Sequence, residues 1–339
     1  MKKSLIALAV LAASGASFAQ SNVTLYGLVD VWVGSVRTDN GKGTTTSTTR
    51  LESGGVNTSR WGVKGSEELG GGLKAVFKLE QGFKLDTGAA GFSTGQGTGA
   101  QAFDRQSYVG FAGGFGEVTL GKVWSAYDDV SGASNAMFDS GALAPMYTVF
   151  QSVNYIDRPV NGIRYTSPTM GGFAGAVSHS LREGSATLPA TTAVNLTYGA
   201  GPLAVQFGYQ VEDLNTAAND TKYTRLGATY NFGIATAKLT LGNVANVGNV
   251  NGADTKEVQV GVDYPLSPVV LLSASYAKSD DSQPAGVYEQ TRKGFGLGAT
   301  YTLSKRTFLY TGYRTARSSQ AGFSDAKNDA LALGVQHRF

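Results

Sequence analysis

The chain has 339 residues, a formal net charge of +3, 46 glycines and no cysteine. The lack of cysteine excludes a disulfide framework and a thiolate metal site. A mean hydropathy near zero with about 10% aromatic residues is typical of neither a helical membrane protein nor a disordered chain. The near balance of basic and acidic residues gives no indication of a nucleic-acid partner.

The N-terminus has the pattern of an export signal. Lys2 and Lys3 precede an apolar stretch over residues 5–13, and Ser17-Phe18-Ala19 offers small residues before a cleavage point. We therefore predict a cleaved signal peptide over residues 1–19. The apolar stretch is shorter than the roughly 20 residues that a membrane-spanning helix needs, so we expect no helical anchor.

The remaining residues, 20–339, alternate with the two-residue period of β-strands. Val23 and Leu25 fall on one face of the first strand, whereas Thr24 and Tyr26 fall on the other. The same alternation predicts sixteen strands, near 22–35, 57–68, 73–84, 104–112, 116–124, 160–168, 172–182, 192–200, 202–212, 222–232, 233–244, 256–265, 268–279, 291–303, 305–316 and 328–339. Tight glycine-rich turns alternate with longer polar loops between them.

An even number of strands with alternating short turns and long loops is typical of outer-membrane barrels. We predict an all-β fold: one domain, a sixteen-stranded antiparallel transmembrane β-barrel with short periplasmic turns and long extracellular loops. A soluble sandwich or β-solenoid is the alternative, but no rule makes its turns alternate in length.

The last strand is predicted to close the barrel. Leu331, Leu333 and Val335 share a face with the terminal residue, Phe339. A barrel in lipid can leave no open edge, so the strand that ends at Phe339 should pair with the first strand. We expect Phe339 to act in closure and as an assembly signal.

Several motifs together resemble the β-proteobacterial general porins. They are Val23-Thr-Leu-Tyr-Gly27, Ser59-Arg-Trp-Gly-Val-Lys-Gly65, Glu68-Leu-Gly-Gly-Gly-Leu-Lys-Ala75, Gly114-Phe-Gly-Glu-Val-Thr-Leu-Gly121, Tyr165-Thr-Ser-Pro168 and Leu303-Ser-Lys-Arg-Thr307. The resemblance implies a homotrimer in the outer membrane of a Gram-negative cell, with a third loop folded into each barrel. It also implies passive diffusion of ions and small hydrophilic solutes, without enzymatic activity or a cofactor. We expect outer-membrane lipid, lipopolysaccharide and the barrel-assembly machinery as partners, the last through the C-terminal strand.

Strand parity predicts which charges face the water-filled lumen. If Trp61 and Val63 face lipid, Arg60 and Lys64 face the lumen; by the same reasoning Lys78 and Glu80 do so on the next strand. Arg105 shares its parity with the apolar Val109 and Phe111, so it should face lipid unless a bulge intervenes. The resemblance nevertheless places Arg60, Glu80 and Arg105 in the narrow zone of anion-preferring relatives.

The segment 125–157 is the longest without a strand pattern, and a connection of this length is normally functional. By resemblance it is the third loop, which bends inward and narrows the channel. It carries Asp128, Asp129 and Asp139, with Asp139 near the position of a loop carboxylate in the relatives, but no basic residue from 125 to 156. We expect a transverse field between these carboxylates and the basic wall. The sign of ion selectivity stays open.

Two other functions remain open. A substrate-selective porin for a sugar, phosphate or organic acid would need lumen aromatics in a continuous track, but Tyr26, Trp32 and Tyr108 are scattered among strands. A barrel that is an adhesin or enzyme would have a segment 125–157 outside the barrel or a filled lumen, and sixteen strands disfavour a filled lumen. The only two histidines, His179 and His337, are predicted to face outward, so no zinc site of several histidines is expected.

Overall fold

A computed structural model describes residues 22–91, 101–185, 187–282, 284 and 289–339. The predicted signal peptide, residues 1–19, lies outside this range. In the described part of the chain, no helix is long and apolar enough to cross a membrane.

The described chain forms an antiparallel sheet in which sequence neighbours pair around a ring. Its strands are β1 (Asn22–Asp39), β2 (Thr45–Ser53), β3 (Arg60–Gly70), β4 (Leu73–Gly82), β5 (Gln106–Gly113), β6 (Gly116–Lys122), β7 (Gly162–Thr166), β8 (Phe173–Ser180), β9 (Ala190–Ala200), β10 (Leu203–Asp213), β11 (Thr221–Asn231), β12 (Thr236–Ala245), β13 (Asp254–Pro265), β14 (Val270–Ser282), β15 (Gln290–Ser304), β16 (Thr307–Gln320) and β17 (Ala326–Arg338).

Two of these strands, β2 and β3, share one position in the wall. β2 pairs with the second half of β1, from Val31 onward, and β3 pairs with its first half, up to Leu28. The barrel therefore has sixteen positions, as predicted. The prediction was wrong in treating residues 36–56 as a loop and in starting the second strand at residue 57. The polar run Thr45–Thr49 carries no apolar alternation, so periodicity cannot detect this part of the wall.

The barrel is closed between the last and first strands. β17 pairs with β1 from Leu28 opposite Arg338 to Asp39 opposite Lys327. Beyond the last regular pair, the Phe339 backbone N–H donates to the carbonyl oxygen of Gly27 at 3.0 Å, and the Gly27 N–H donates back to Phe339. The predicted closing role of the C-terminal strand is confirmed at the level of backbone pairing.

The wall is apolar outside and polar inside, as the alternation predicts. Val23 and Leu25 are 62% and 64% exposed on the outer surface, whereas Asp30 and Trp32, of opposite parity, are buried in the lumen. Connections alternate between what we call the turn end and the loop end of the barrel. Gly71 and Gly72 form a tight turn with φ of 60° and 81°, a conformation that only glycine adopts without strain.

The long connection between β6 and β7 folds into the barrel. It contains short 3₁₀ turns at Asp128–Val130 and Met137–Asp139 and one helical turn, α1, at Met146–Val149. The buried apolar clusters of the molecule form where this segment meets the inner wall; one contains Trp32, Met137, Leu143 and Tyr310. We refer to residues 125–157 as the inner loop.

Candidate functional site

Polar side chains from the inner wall hold the inner loop by its backbone. Arg225 of β11 donates to the carbonyl oxygens of Ser131 at 2.8 Å and Ser152 at 3.0 Å. Arg225 is completely buried, and Glu257 of β13 accepts from the backbone N–H groups of residues 151 and 152. Further contacts come from Ser178, Asn195, Glu212, Lys238, Thr240, Ser273 and Arg292. The loop is thus fixed along the wall from β8 to β15.

Glycines on the inner face of this wall give the loop its room. A Cβ atom at Gly294 of β15 would lie 2.9 Å from Pro145, and one at Gly298 would lie 2.8 Å from the Phe138 ring. Inward-facing glycines where an added Cβ would collide with the loop also occur on β10 to β13 and β16, at Gly208, Gly227, Gly242, Gly261 and Gly312. Replacement of these glycines would push the loop off the wall.

The tip of the inner loop has an unusual backbone. Met137, Phe138 and Asp139 have φ of 59°, 53° and 55°, a left-handed conformation that non-glycine residues seldom adopt. Met137 is completely buried, and its N–H donates to the hydroxyl of Ser273 at 2.7 Å. Tertiary contacts therefore hold a strained tip in place.

A second inward element supports that tip from the opposite side. Residues 54–59, between β2 and β3, leave the wall opposite residues 29 and 30 of β1. We call this segment the β1 bulge. The buried Asp30 carboxylate accepts the backbone N–H groups of residues 55–57 at 2.9–3.1 Å and the Tyr310 hydroxyl at 2.6 Å. The Gly55 carbonyl oxygen accepts in turn from the Ser140 hydroxyl and the residue 142 N–H of the inner loop. Asp30 of β1 thus connects the bulge and β16 to the loop tip.

Between the inner loop and the wall formed by β1 to β3, β16 and β17 lies an open cavity of about 810 Å³. Its charged lining consists of six arginines, Arg50, Arg60, Arg105, Arg158, Arg225 and Arg314, and four acidic residues, Glu52, Asp128, Asp139 and Asp157. A separate cavity of about 270 Å³ lies between the loop and β5 to β7.

On the wall side of the large cavity, Glu80 is the centre of a basic cluster. Its carboxylate lies 2.8 Å from the Arg105 Nε, 3.3 Å from the Lys78 Nζ and 3.9 Å from the Arg60 Nε, and it accepts the Tyr26 hydroxyl at 2.8 Å. Glu80 itself is only 2% exposed. One acidic residue is therefore surrounded by three cations, and Arg60 and Arg105 present the excess charge to the cavity.

The position of Arg105 corrects the expectation from parity. Regular pairing of β4 with β5 ends at Glu80 opposite Gln106, so Arg105 lies just outside the strand. Its side chain is 4% exposed and turned into the lumen, not towards lipid. Lys64 also departs from the predicted site: it lies near the Tyr26 ring, 5.4 Å from its centroid, and does not line the large cavity.

The inner-loop carboxylates separate into two groups. Asp128 and Asp139 line the large cavity, where the hydroxyls of Tyr155 and Tyr147 donate to them at 2.5 and 2.7 Å. Asp129 instead lines the small cavity and pairs with Arg164 at 2.5 Å, so its expected place opposite Arg60 is wrong. Burial raises the pKa of the Asp128 carboxyl to about 7; the Tyr155 hydrogen bond opposes this shift, and nearby Asp157 adds to it.

Sequence reasoning missed Arg158, which follows the inner loop by one residue. Its guanidinium lies 3.9 Å from the ring centroid of Trp124, and the Arg105 guanidinium lies 5.6 Å from the same ring. It also pairs with Asp157 at 3.0 Å. The inner loop itself contains no basic residue, and Arg158 lies one position beyond its end. Arg158 contacts Trp124, which is far away in the sequence, so no local pattern predicts this arginine–aromatic pair.

Comparisons with known proteins agree with this geometry. The sequence profile described as Gram-negative porin matches residues 5–321. The chain belongs to the Gram-negative porin family. It is 34% identical to outer membrane porin protein 32 of Delftia acidovorans, over 99% of this chain and 93% of the relative. It is 30% identical to major outer membrane protein P.IB of Neisseria meningitidis, over the full length of both.

Solved structures match the fold over nearly the whole chain. An anion-selective porin from Comamonas acidovorans superposes with a TM-score of 0.77 at 26% identity and covers 94% of this chain and 100% of that one. OmpF of Salmonella typhi superposes with a TM-score of 0.67 at 17% identity, covering 94% and 97%, which shows the fold alone. This porin is an outer-membrane protein, forms a channel for passive diffusion and is not an enzyme.

Proposed function

We propose that this porin is a general diffusion channel with a moderate preference for anions, and that the large cavity is its constriction. The observation that carries the proposal is the lining of the cavity, in which six arginines face four acidic residues. Fixed charge of one sign in a narrow aqueous passage raises the local concentration of the opposite ion.

The hydrogen-bond partners and the ionisation of the lining residues support a preference for anions. Arg225 is bound by backbone carbonyl oxygens, which hold the guanidinium without neutralising it. Asp128 has its pKa raised to about 7, so it carries only part of a negative charge at neutral pH. The inner loop has no basic residue of its own, so we expect a moderate and not a strong preference for anions.

Planar-bilayer recording with the purified porin under a tenfold KCl gradient tests the proposal. We expect ohmic conductance and a reversal potential of the sign given by chloride preference, which grows as salt is diluted because screening weakens. A reversal potential of cation sign, or one that does not depend on salt concentration, contradicts the proposed preference. Absence of ohmic conductance contradicts the channel itself.

A substrate-selective channel is the second candidate. The aromatic pair Phe308 and Tyr310, with ring centroids 6.1 Å apart, lies on the lumen face of β16, but Tyr310 is almost fully buried beneath the β1 bulge. This arrangement offers no continuous stacking track, which favours general diffusion. Addition of sugars, inorganic phosphate or dicarboxylates during recording distinguishes the two, because only a selective channel shows saturable block at micromolar to millimolar solute.

We also propose that the porin assembles as a homotrimer in contact with lipopolysaccharide, and that assembly machinery recognises the strand ending at Phe339. The family resemblance and the outward-facing apolar wall support these partners. Native mass spectrometry of the detergent-extracted porin tests the trimer, since a monomer alone would contradict it. Loss of the barrel from the outer membrane after deletion of Phe339, with the protein still exported, is the expected result for assembly.

A further inference from the structure

Four basic residues form a horizontal row on the outer surface of the barrel near the loop end. Lys278 of β14 pairs laterally with Lys293 of β15, Lys293 with Arg317 of β16, and Arg317 with Lys327 of β17. Side chains directly opposite each other on neighbouring strands have Cβ atoms about 5 Å apart. The row therefore places four positive charges side by side.

The row faces outward, away from the channel. Lys278 and Lys293 have the parity of Tyr276 and Phe295, which are 41% and 43% exposed on the outer wall. Their neighbours of opposite parity face the lumen; Arg292, for example, donates to the inner-loop carbonyl of residue 149. Lys293, Arg317 and Lys327 are themselves exposed. The charges thus lie directly above the apolar belt.

The acidic partners of this row lie at its edges, and Asp280 also attracts Lys293 at longer range. Lys278 pairs with Asp280 at 2.6 Å, and Asp39 lies opposite Lys327. Lys293 and Arg317 have basic residues on both lateral sides, and within the described part of the chain no acidic group lies within 4.0 Å of either. Like charges directly opposite in a sheet are destabilising, so an anion from outside the chain would relieve the repulsion.

We propose that this row binds the phosphate groups of a phosphorylated glycolipid, such as lipopolysaccharide, in the outer leaflet. Its place at the boundary between the apolar belt and the loop end is where such headgroups lie when their acyl chains cover Tyr276 and Phe295. A linear array of cations suits a headgroup with several phosphates better than a single free ion. The inference deepens the proposed lipid contact and rests on the outer-membrane placement, not on ion selectivity.

The test compares binding of diphosphorylated lipid A by three forms of the full-length porin in zwitterionic detergent at low salt, measured by native mass spectrometry. The test variant combines Lys293→Gln, Arg317→Gln and Lys327→Gln. The matched control carries the same charge change near the turn end, with Lys74→Gln, Lys305→Gln and Arg306→Gln. A heat-modifiability gel confirms that each barrel is folded.

Each basic residue at a membrane surface contributes about fivefold to the binding of anionic lipid, so we expect the test variant to bind on the order of 100-fold more weakly. The control should bind like the wild type, and lipid A lacking its phosphates should bind weakly to all three. Equal binding by the test variant and the control overturns the proposal. So does complete displacement of lipid A by millimolar inorganic phosphate, which would indicate a site for free anions. Bilayer conductance should be the same for all three forms, so a failure of this inference is distinct from a failure of the channel proposal.

Discussion

Charge reversal at Arg60 should shift the ion preference of the channel towards cations. Arg60 lines the large cavity, and its side chain is about one quarter exposed beside Glu80. Arg60→Glu changes the charge of the cavity lining by two units. The excess of two positive charges, from six arginines against four acidic residues, would then disappear at full ionisation.

The size of the effect follows from Coulomb's law. A unit charge roughly 7 Å from the path of an ion contributes about 0.6 kcal/mol in water, so two units contribute about 1.2 kcal/mol. A Debye length of about 10 Å at 0.1 M salt reduces this by roughly half. Because anions and cations respond in opposite directions, the ratio of anion to cation permeability should fall roughly eightfold.

Reversal potentials under a KCl gradient measure this ratio directly. Arg60→Gln changes one unit of charge and should produce about half the logarithmic shift, which guards against misfolding of Arg60→Glu next to Glu80. Arg306→Glu, on an exposed turn between β15 and β16, is the matched control. If both Arg60 variants retain the reversal potential of the wild type, Arg60 does not face the ion path and the proposed constriction is wrong.

Three further changes test other parts of the site. Asp30→Asn removes a carboxylate that accepts four hydrogen bonds, so the β1 bulge should loosen. Relative to the wild type, we expect the free energy of unfolding to fall by at least about 2 kcal/mol and the single-channel current to become noisier. Glu80→Gln leaves three cations without their shared anion and should raise the anion-to-cation permeability ratio about threefold in salt-gradient recordings; a lower ratio would contradict the assignment. The pKa of Asp128 is raised to about 7, so its carboxyl is neutral below that pH and negative above it. Anion preference should therefore decline as pH rises through 7, and Asp128→Asn should remove this part of the pH dependence.

Local alternation predicted the wall because one physical rule governs each strand: apolar side chains outside and polar ones inside. The rule located Asp30 and Trp32 in the lumen and Val23 on the outer surface. It failed where the regular pairing stops. Arg105 lies just before the first residue of β5, and the β1 bulge leaves the wall altogether, so parity along the strand carries no information there.

The interior of the barrel was less predictable because its contacts join residues far apart in the chain. Asp30 meets Tyr310, and Arg225 meets Ser131, through pairings that no sequence period encodes. Gly294 and Gly298 lie on the lumen face of β15, where the close approach of the inner loop leaves no room for a side chain. A run of inward glycines on adjacent strands is therefore a usable signal for a loop folded inside a barrel.

The most direct test asks whether ions pass between the inner loop and the arginine wall. The chain has no cysteine, so a single cysteine can be placed at Ala142, which lines the large cavity, and another at Val109, which is 59% exposed on the outer wall. During bilayer recording, a water-soluble charged thiol reagent should reduce the conductance of Ala142→Cys in steps and leave that of Val109→Cys unchanged. Conductance of Ala142→Cys that the reagent does not alter, although mass spectrometry shows full labelling, would contradict the account.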